Sequence, residues 1–164
     1  MRTKSTRTKR RRPSVAVQRA ARGAPPARRL RAWAFAASPA GGEVTLRVVG
    51  AAEGRRLNRT FRGRDYATNV LSFAYAPARS ARDPRSRARA AAVRGDIVLC
   101  HPVIRREARE QGKTLAAHYA HLVVHGMLHL RDMDHARARE AERMERAEIR
   151  ILRRLGVANP YAVK

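Results

Sequence analysis

The chain has 164 residues and a formal net charge of +24 at pH 7, which is length for one domain with a true core and too little for two. Its one cysteine, Cys100, excludes an intramolecular disulfide and points to a reducing, cytoplasmic setting. There is no run of ~18 apolar residues, so no membrane-spanning helix is expected.

Of 37 cationic residues only Lys4, Lys9, Lys113 and Lys164 are lysines, and the others are arginines. The planar arginine fork matches phosphate, so a polyanionic partner is the first expectation; the alternative is an arginine-biased composition spread over the surface. Residues 1–13 carry nothing apolar to offset ordering and are read as a disordered basic tail outside a domain of residues 14–164. This tail lacks the apolar core of a secretory signal and fits either an organelle transit peptide or an arm that touches nucleic acid.

In chain order, "SVAVQRA" is a candidate first strand. After Pro25 and Pro26, "ARRLRAWAFAA" places Leu30, Trp33, Ala34 and Ala37 at helical spacing. "EVTLRVVG" alternates Val44, Leu46 and Val48 with polar residues, the period of a half-buried strand. "AAEGRRLNRTFRG" reads as a short helix closed by Gly63, and Thr68 to Tyr75 as a β-branched and aromatic strand. Residues 76–93 hold two prolines and five arginines without apolar periodicity and are read as a mobile basic loop. "GDIVLC" is a short buried strand. Three helices follow: Pro102 to about Gln111, Thr114 to about Leu130, and Ala136 to Leu155 with Ala141, Met144, Ile151 and Leu155 inward. Strands first and helices later imply an α+β domain, a small sheet with helices packed mainly on one face.

The chemistry concentrates in "HLVVHGMLHLRDMDH", residues 121–135, which holds four of the six histidines. His125 and His129 are four apart on a helix, so their rings project from one face and can share an ion. His135 lies six residues further on, past the helix end, where a turn would bring it to the same ion. Three imidazoles with an open position make the catalytic type of zinc site. The alternative is that all are ordinary core or boundary residues. His118 and His121 are assigned to support or packing, because a straight helix cannot bring His118 to an ion held by His129. His101, beside Pro102, is assigned a structural role. The spacing is that of the extended zinc-protease motif, yet Gly126 stands where the peptidase carries its glutamate base, which disfavours peptide hydrolysis.

"HGMLHLRDMDH" resembles the H-G-x-L-H-L-x-G-x-D-H signature of the YbeY family of metal-dependent endoribonucleases, which act in bacterial rRNA maturation and small-subunit quality control. "LNRTFRGRDYATNVLSF", "GDIVLC", "AREQGKTLAAHYAHLVVHG" and "LGVANPY" agree in order and spacing, over roughly residues 43–161. The resemblance implies a zincin-like α+β fold, one zinc ion per chain on His125, His129 and His135, and a functional arginine at Arg59, with Arg62 next in line for holding phosphate. It also implies RNA of the small ribosomal subunit as substrate, single-strand-specific cleavage at its rRNA 3′ end, and ribosomal proteins and an assembly GTPase as partners. Two features depart from the pattern. Asp132 replaces the turn glycine, at a cost of about 1 kcal/mol if the backbone there is left-handed, and the arginine-rich tail and loop are additions that would strengthen phosphate binding without sequence specificity. Asp134 is read as orienting a ligand histidine or capping the next helix, which leaves no evident general base; water and the RNA 2′-hydroxyl both stand as nucleophile. The rival readings are a ribosome assembly factor with structural zinc and little cleavage of its own, and a zinc peptidase.

Overall fold

The computed structural model describes residues 14–38, 42–75, 92–131 and 137–162. Among these, the elements run β1 (Ser14–Arg19), α1 (Ala27–Ala37), β2 (Gly42–Val49), α2 (Ala51–Arg62), β3 (Val70–Ala74), β4 (Val93–Cys100), α3 (His101–Glu110), α4 (Leu115–His129) and α5 (Ala138–Arg154). The strands form one mixed sheet in the order β1-β2-β4-β3. β1 and β2 pair in parallel, as do β2 and β4, while β3 runs antiparallel to β4 along the edge. The central position of β4 explains its nearly continuous apolar run. Ile97 and Leu99 face one side and Val98 and Cys100 the other, and all four are buried.

The larger core lies on the face bearing Val44, Leu46, Val48, Ile97 and Leu99, where α1 contributes Leu30, Trp33, Ala34 and Ala37 and α4 contributes Val123, Val124, Met127 and Leu128. Each fully buried valine, leucine, isoleucine or methionine among these contributes about 1.5–3 kcal/mol of transfer free energy. Helix α5 packs outside α4 through Met144, Ala147, Ile151 and Leu152. The opposite face is smaller, with Val49, Leu71, Val98 and Cys100 against Leu57 of α2 and Val103 of α3. Helix α2 approaches closely because Gly54 has no side chain: a Cβ there would lie 2.9 Å from Cys100 Sγ. The result is an α+β arrangement, a small mixed sheet with helices mainly on one face.

One boundary and one helix face differ from the sequence expectation. Val93, read as the end of the loop, belongs to β4, which also takes in Arg94, because the two pair with Gly42 and Glu43 of β2; that ladder is long-range and leaves no local periodicity. Residues 76–91 and the tail 1–13 lie outside the described residues. On α5 the inward row is Met144, Ala147, Glu148, Ile151 and Leu152, whereas Ala141 and Leu155 are only half-buried. Gly63, in contrast, ends α2 as expected, with φ +67° and its N–H bonded to Arg59 O.

Candidate metal centre

Helix α4 begins at Thr114, whose hydroxyl accepts from the Ala117 N–H at 3.1 Å. The helix is apolar almost all round, so it runs through the interior, and half-buried His121, His125 and His129 mark its one accessible stripe. The Nε2 atoms of His125 and His129 are 3.1 Å apart. Two ligands on a tetrahedral ion with bonds of 2.0–2.1 Å stand ~3.3 Å apart, so this pair has the spacing that one metal ion requires.

The second nitrogen of His125 is equally defined. Its Nδ1 is 2.5 Å from Oε1 of Glu148, a fully buried carboxylate on α5. An ionised carboxylate only accepts, so Nδ1 carries the proton and Nε2 presents its lone pair toward His129. This is the carboxylate-histidine arrangement that orients metal ligands and raises their basicity. His121, His125 and Glu148 also group closely enough to hold a metal ion. The 2.5 Å separation inside that trio is a charge-assisted hydrogen bond, however, and is too short for two ligand atoms on one tetrahedral ion. The geometry therefore favours the His125–His129 pair as ligands with Glu148 behind them.

Burial by itself would raise the pKa of Glu148, but hydrogen bonds from His121, His125 and Tyr161 outweigh it and hold the carboxyl at about 2. Tyr161 donates its hydroxyl to Oε2, and His121 Nε2 lies 3.4 Å from the same oxygen. His121, expected to support or pack, is thus a neighbour of Glu148 and also a member of the trio that could hold an ion. His118 is buried and gives its Nε2–H to Glu107 Oε2 at 2.7 Å, and Glu107 in turn accepts from Asn69 Nδ2 at 3.0 Å. That chain ties α4 to the start of β3. His101 Nδ1 lies 2.8 Å from the Tyr119 hydroxyl within the core, a structural contact. His135, Asp132 and Asp134 lie outside the described residues.

Sequence reading passed over Glu148. The available signal was a glutamate four residues after Met144 and three before Ile151, on the apolar face of an amphipathic helix. A charge there requires buried partners.

His125 and His129 open onto a cavity of about 820 Å³ whose other wall is the edge strand β3 and the segment leading to it. Its described lining includes Asn58, Arg62, Arg64, Tyr66, Asn69 and Ser72, and no carboxylate. Buried Asn58 donates Nδ2–H to Tyr66 O at 2.7 Å and so fixes that segment. Arg62 reaches Ser72 O at 3.3 Å. Arg59, one turn earlier, is not among the lining residues; its exposed guanidinium lies 3.9 Å from Asp65, which Arg55 holds with two hydrogen bonds. The arrangement is a cationic cleft with paired imidazoles at its base, which suits a phosphate better than a peptide carbonyl.

Gly126 shows why a peptidase-type base is absent. A Cβ at this position would sit 3.0 Å from two carbons of Ile97 and 3.1 Å from Ser72 Oγ, facing the sheet. Helix propensity would reward Gly126→Ala by about 1 kcal/mol, whereas overpacking against fully buried Ile97 costs about 1–3 kcal/mol. We expect a net loss of stability by urea unfolding for Gly126→Ala and a much larger one for Gly126→Glu; an unchanged midpoint for Gly126→Glu would contradict this packing.

The profile of the family described as Endoribonuclease YbeY matches residues 26–156. An endoribonuclease YbeY of Aromatoleum aromaticum is 56% identical over 133 residues, 81% of this chain and 79% of its own length. That of Bordetella pertussis is 57% identical over 122 residues, 74% of this chain and 71% of its own. The Azoarcus sp. relative is 55% identical over 139 residues, 85% of this chain, which spans only 54% of that protein. A solution structure of a Thermotoga maritima protein superposes with a TM-score of 0.52 at 18% identity, covering 92% of this chain and all of that one, and at that identity the likeness is one of fold. Taken with a match that runs from α1 through the whole of α5, these similarities place the chain in the endoribonuclease YbeY family.

Proposed function

We propose that the chain is a zinc-dependent, single-strand-specific endoribonuclease that acts in small-subunit rRNA 3′ end maturation and ribosome quality control. The observation that carries this is the facing pair of Nε2 atoms at 3.1 Å beneath a cleft lined by arginines and free of described carboxylates. The relatives are named endoribonucleases, and the net charge of +24 fits a polyanionic substrate.

In this reading His125, His129 and His135 hold one zinc ion, which supplies Lewis-acid polarisation of phosphate. Glu148 keeps the proton of His125 on Nδ1, so that Nε2 remains a ligand. Arg62, on the cleft wall, and Arg59, which can swing in when it leaves Asp65, neutralise phosphate charge as it develops during cleavage. Tyr66, half exposed on the same wall, and the exposed Phe61 and Tyr75 offer faces on which unpaired bases can stack. A duplex cannot offer its bases in that way, which supports the preference for single strands. Ribosomal proteins and an assembly GTPase are the protein partners in this proposal. Among the described residues no helix is long and apolar enough to cross a membrane, in keeping with a cytoplasmic site of action.

The test is cleavage of single-stranded RNA by the purified protein. Arg59→Glu is expected to slow cleavage by about 10²-fold, and duplex RNA of the same sequence is expected to resist. If both Arg59→Glu and His129→Ala cleave as the parent does, the activity is not this protein's, and the assembly-factor reading takes its place.

A further inference from the structure

The segment that follows α5 does more than end the fold. Helix α5 stops at Gly156 with φ +72°, and Val157 N–H bonds back to Leu152 O at 2.9 Å. The chain then makes a small turn in which Tyr161 N–H bonds to Asn159 Oδ1 at 3.0 Å and Ala162 N–H to Asn159 O at 3.4 Å. Lys113, just ahead of α4, gives an Nζ–H to Pro160 O at 3.1 Å. The turn is therefore pinned at both ends, and it lays one side chain, itself exposed, over the buried Glu148. The Tyr161 hydroxyl donates to Oε2 of Glu148, and its ring stands edge-on to His121 with centroids 5.4 Å apart.

Glu148 divides its two oxygens between these neighbours, Oε1 to His125 and Oε2 to Tyr161 and His121. A buried carboxylate keeps one orientation only while donors serve both of its oxygens. A rotated Glu148 no longer accepts from His125 Nδ1, and the His125 ring is no longer aimed at His129. None of these residues after α5 lines the cleft, so they act on the centre from behind, through Glu148 and its neighbour His121.

We infer that the Asn159–Tyr161 turn is part of the metal centre, with Tyr161 a positioning residue that fixes Glu148 and through it the tautomer and aim of His125. The inference rests on the proposal that His125 is a ligand.

The experiment measures zinc affinity by competition with a chromophoric chelator, and the visible absorption of the cobalt(II)-substituted protein, in the full chain and in Tyr161→Phe and His129→Ala. Phenylalanine keeps the ring and removes only the donor. Tyr161→Phe is expected to bind zinc about tenfold more weakly and to shift the cobalt bands, which a purely structural role would leave in place. Parent-like affinity and bands in Tyr161→Phe, with metal binding lost in His129→Ala, would overturn the inference and keep the site. Parent-like binding in His129→Ala would instead overturn the site on which it stands. Should Tyr161→Phe fail to fold, Lys113→Met, which releases Pro160 O without touching Glu148, is read with the same outcomes.

Discussion

Replacing His129 by alanine is expected to lower zinc affinity by two to three orders of magnitude and to abolish RNA cleavage while the protein stays folded. Zinc held by protein side chains carries about 10–16 kcal/mol of binding free energy. Shared among about four ligands, that is roughly 3 kcal/mol each, or more than 10²-fold in affinity. The His129 ring is half-buried at the base of the cleft and is no part of the apolar core, so its loss creates no large cavity. His125→Ala should lose metal to the same degree but also lose stability, because it strands the Glu148 carboxylate. Chelator competition and urea unfolding of the metal-free proteins separate the two effects. A His129→Ala variant with parent affinity for zinc would contradict the ligand assignment.

The second large effect is expected at Glu148. Removing one partner from a buried charged network typically costs 3–5 kcal/mol, because the groups left behind are stranded. Glu148→Ala leaves His125, His121 and Tyr161 facing an empty volume. We expect a loss of that size in urea unfolding at pH 7, together with zinc binding weaker by 10–100-fold. Glu148→Gln keeps the volume but puts an amide N–H against a donor on one side, so it should recover stability only in part.

The effect also has a pH signature. The carboxyl is held at about 2 against an ordinary value of 4.5. A depressed carboxylate stabilises the fold above its unfolded pKa, here by about 3 kcal/mol. That contribution falls away as pH drops from 4.5 toward 2, so the stability gap between the parent and Glu148→Ala should narrow over this range in metal-free protein. A gap that stays constant from pH 7 to pH 3 would show that the charge of Glu148 does not stabilise the fold.

What the sequence disclosed, and what it hid, follows from the range of the interactions involved. Helix α1 was legible because Leu30, Trp33, Ala34 and Ala37 repeat at 3.6 residues, and all four are buried. The His125–His129 pair was legible because i, i+4 spacing alone puts two rings on one face. The strand order was not, since a parallel β2–β4 pairing joins residues about fifty apart with helix α2 and edge strand β3 between them. The chain Asn69–Glu107–His118 was hidden for the same reason, its members being 38 and 11 residues apart. Glu148 was an intermediate case: its position among Met144, Ile151 and Leu152 marked it as inward, but only the fold shows that His125 waits there. Tyr161 was visible solely as part of "LGVANPY", with nothing local to tie it to the histidines. Arg59 remains the arginine that the family pattern selects, while the described cleft wall is formed by Arg62 and Arg64.

The proposed function requires one catalytic metal ion on the histidine helix of this chain. Elemental analysis of the native protein, purified without added metal or chelator, tests it most directly. One zinc per chain is expected, lost in His125→Ala and His129→Ala. Substantially less than one zinc per chain, with no other transition metal in its place, would contradict it.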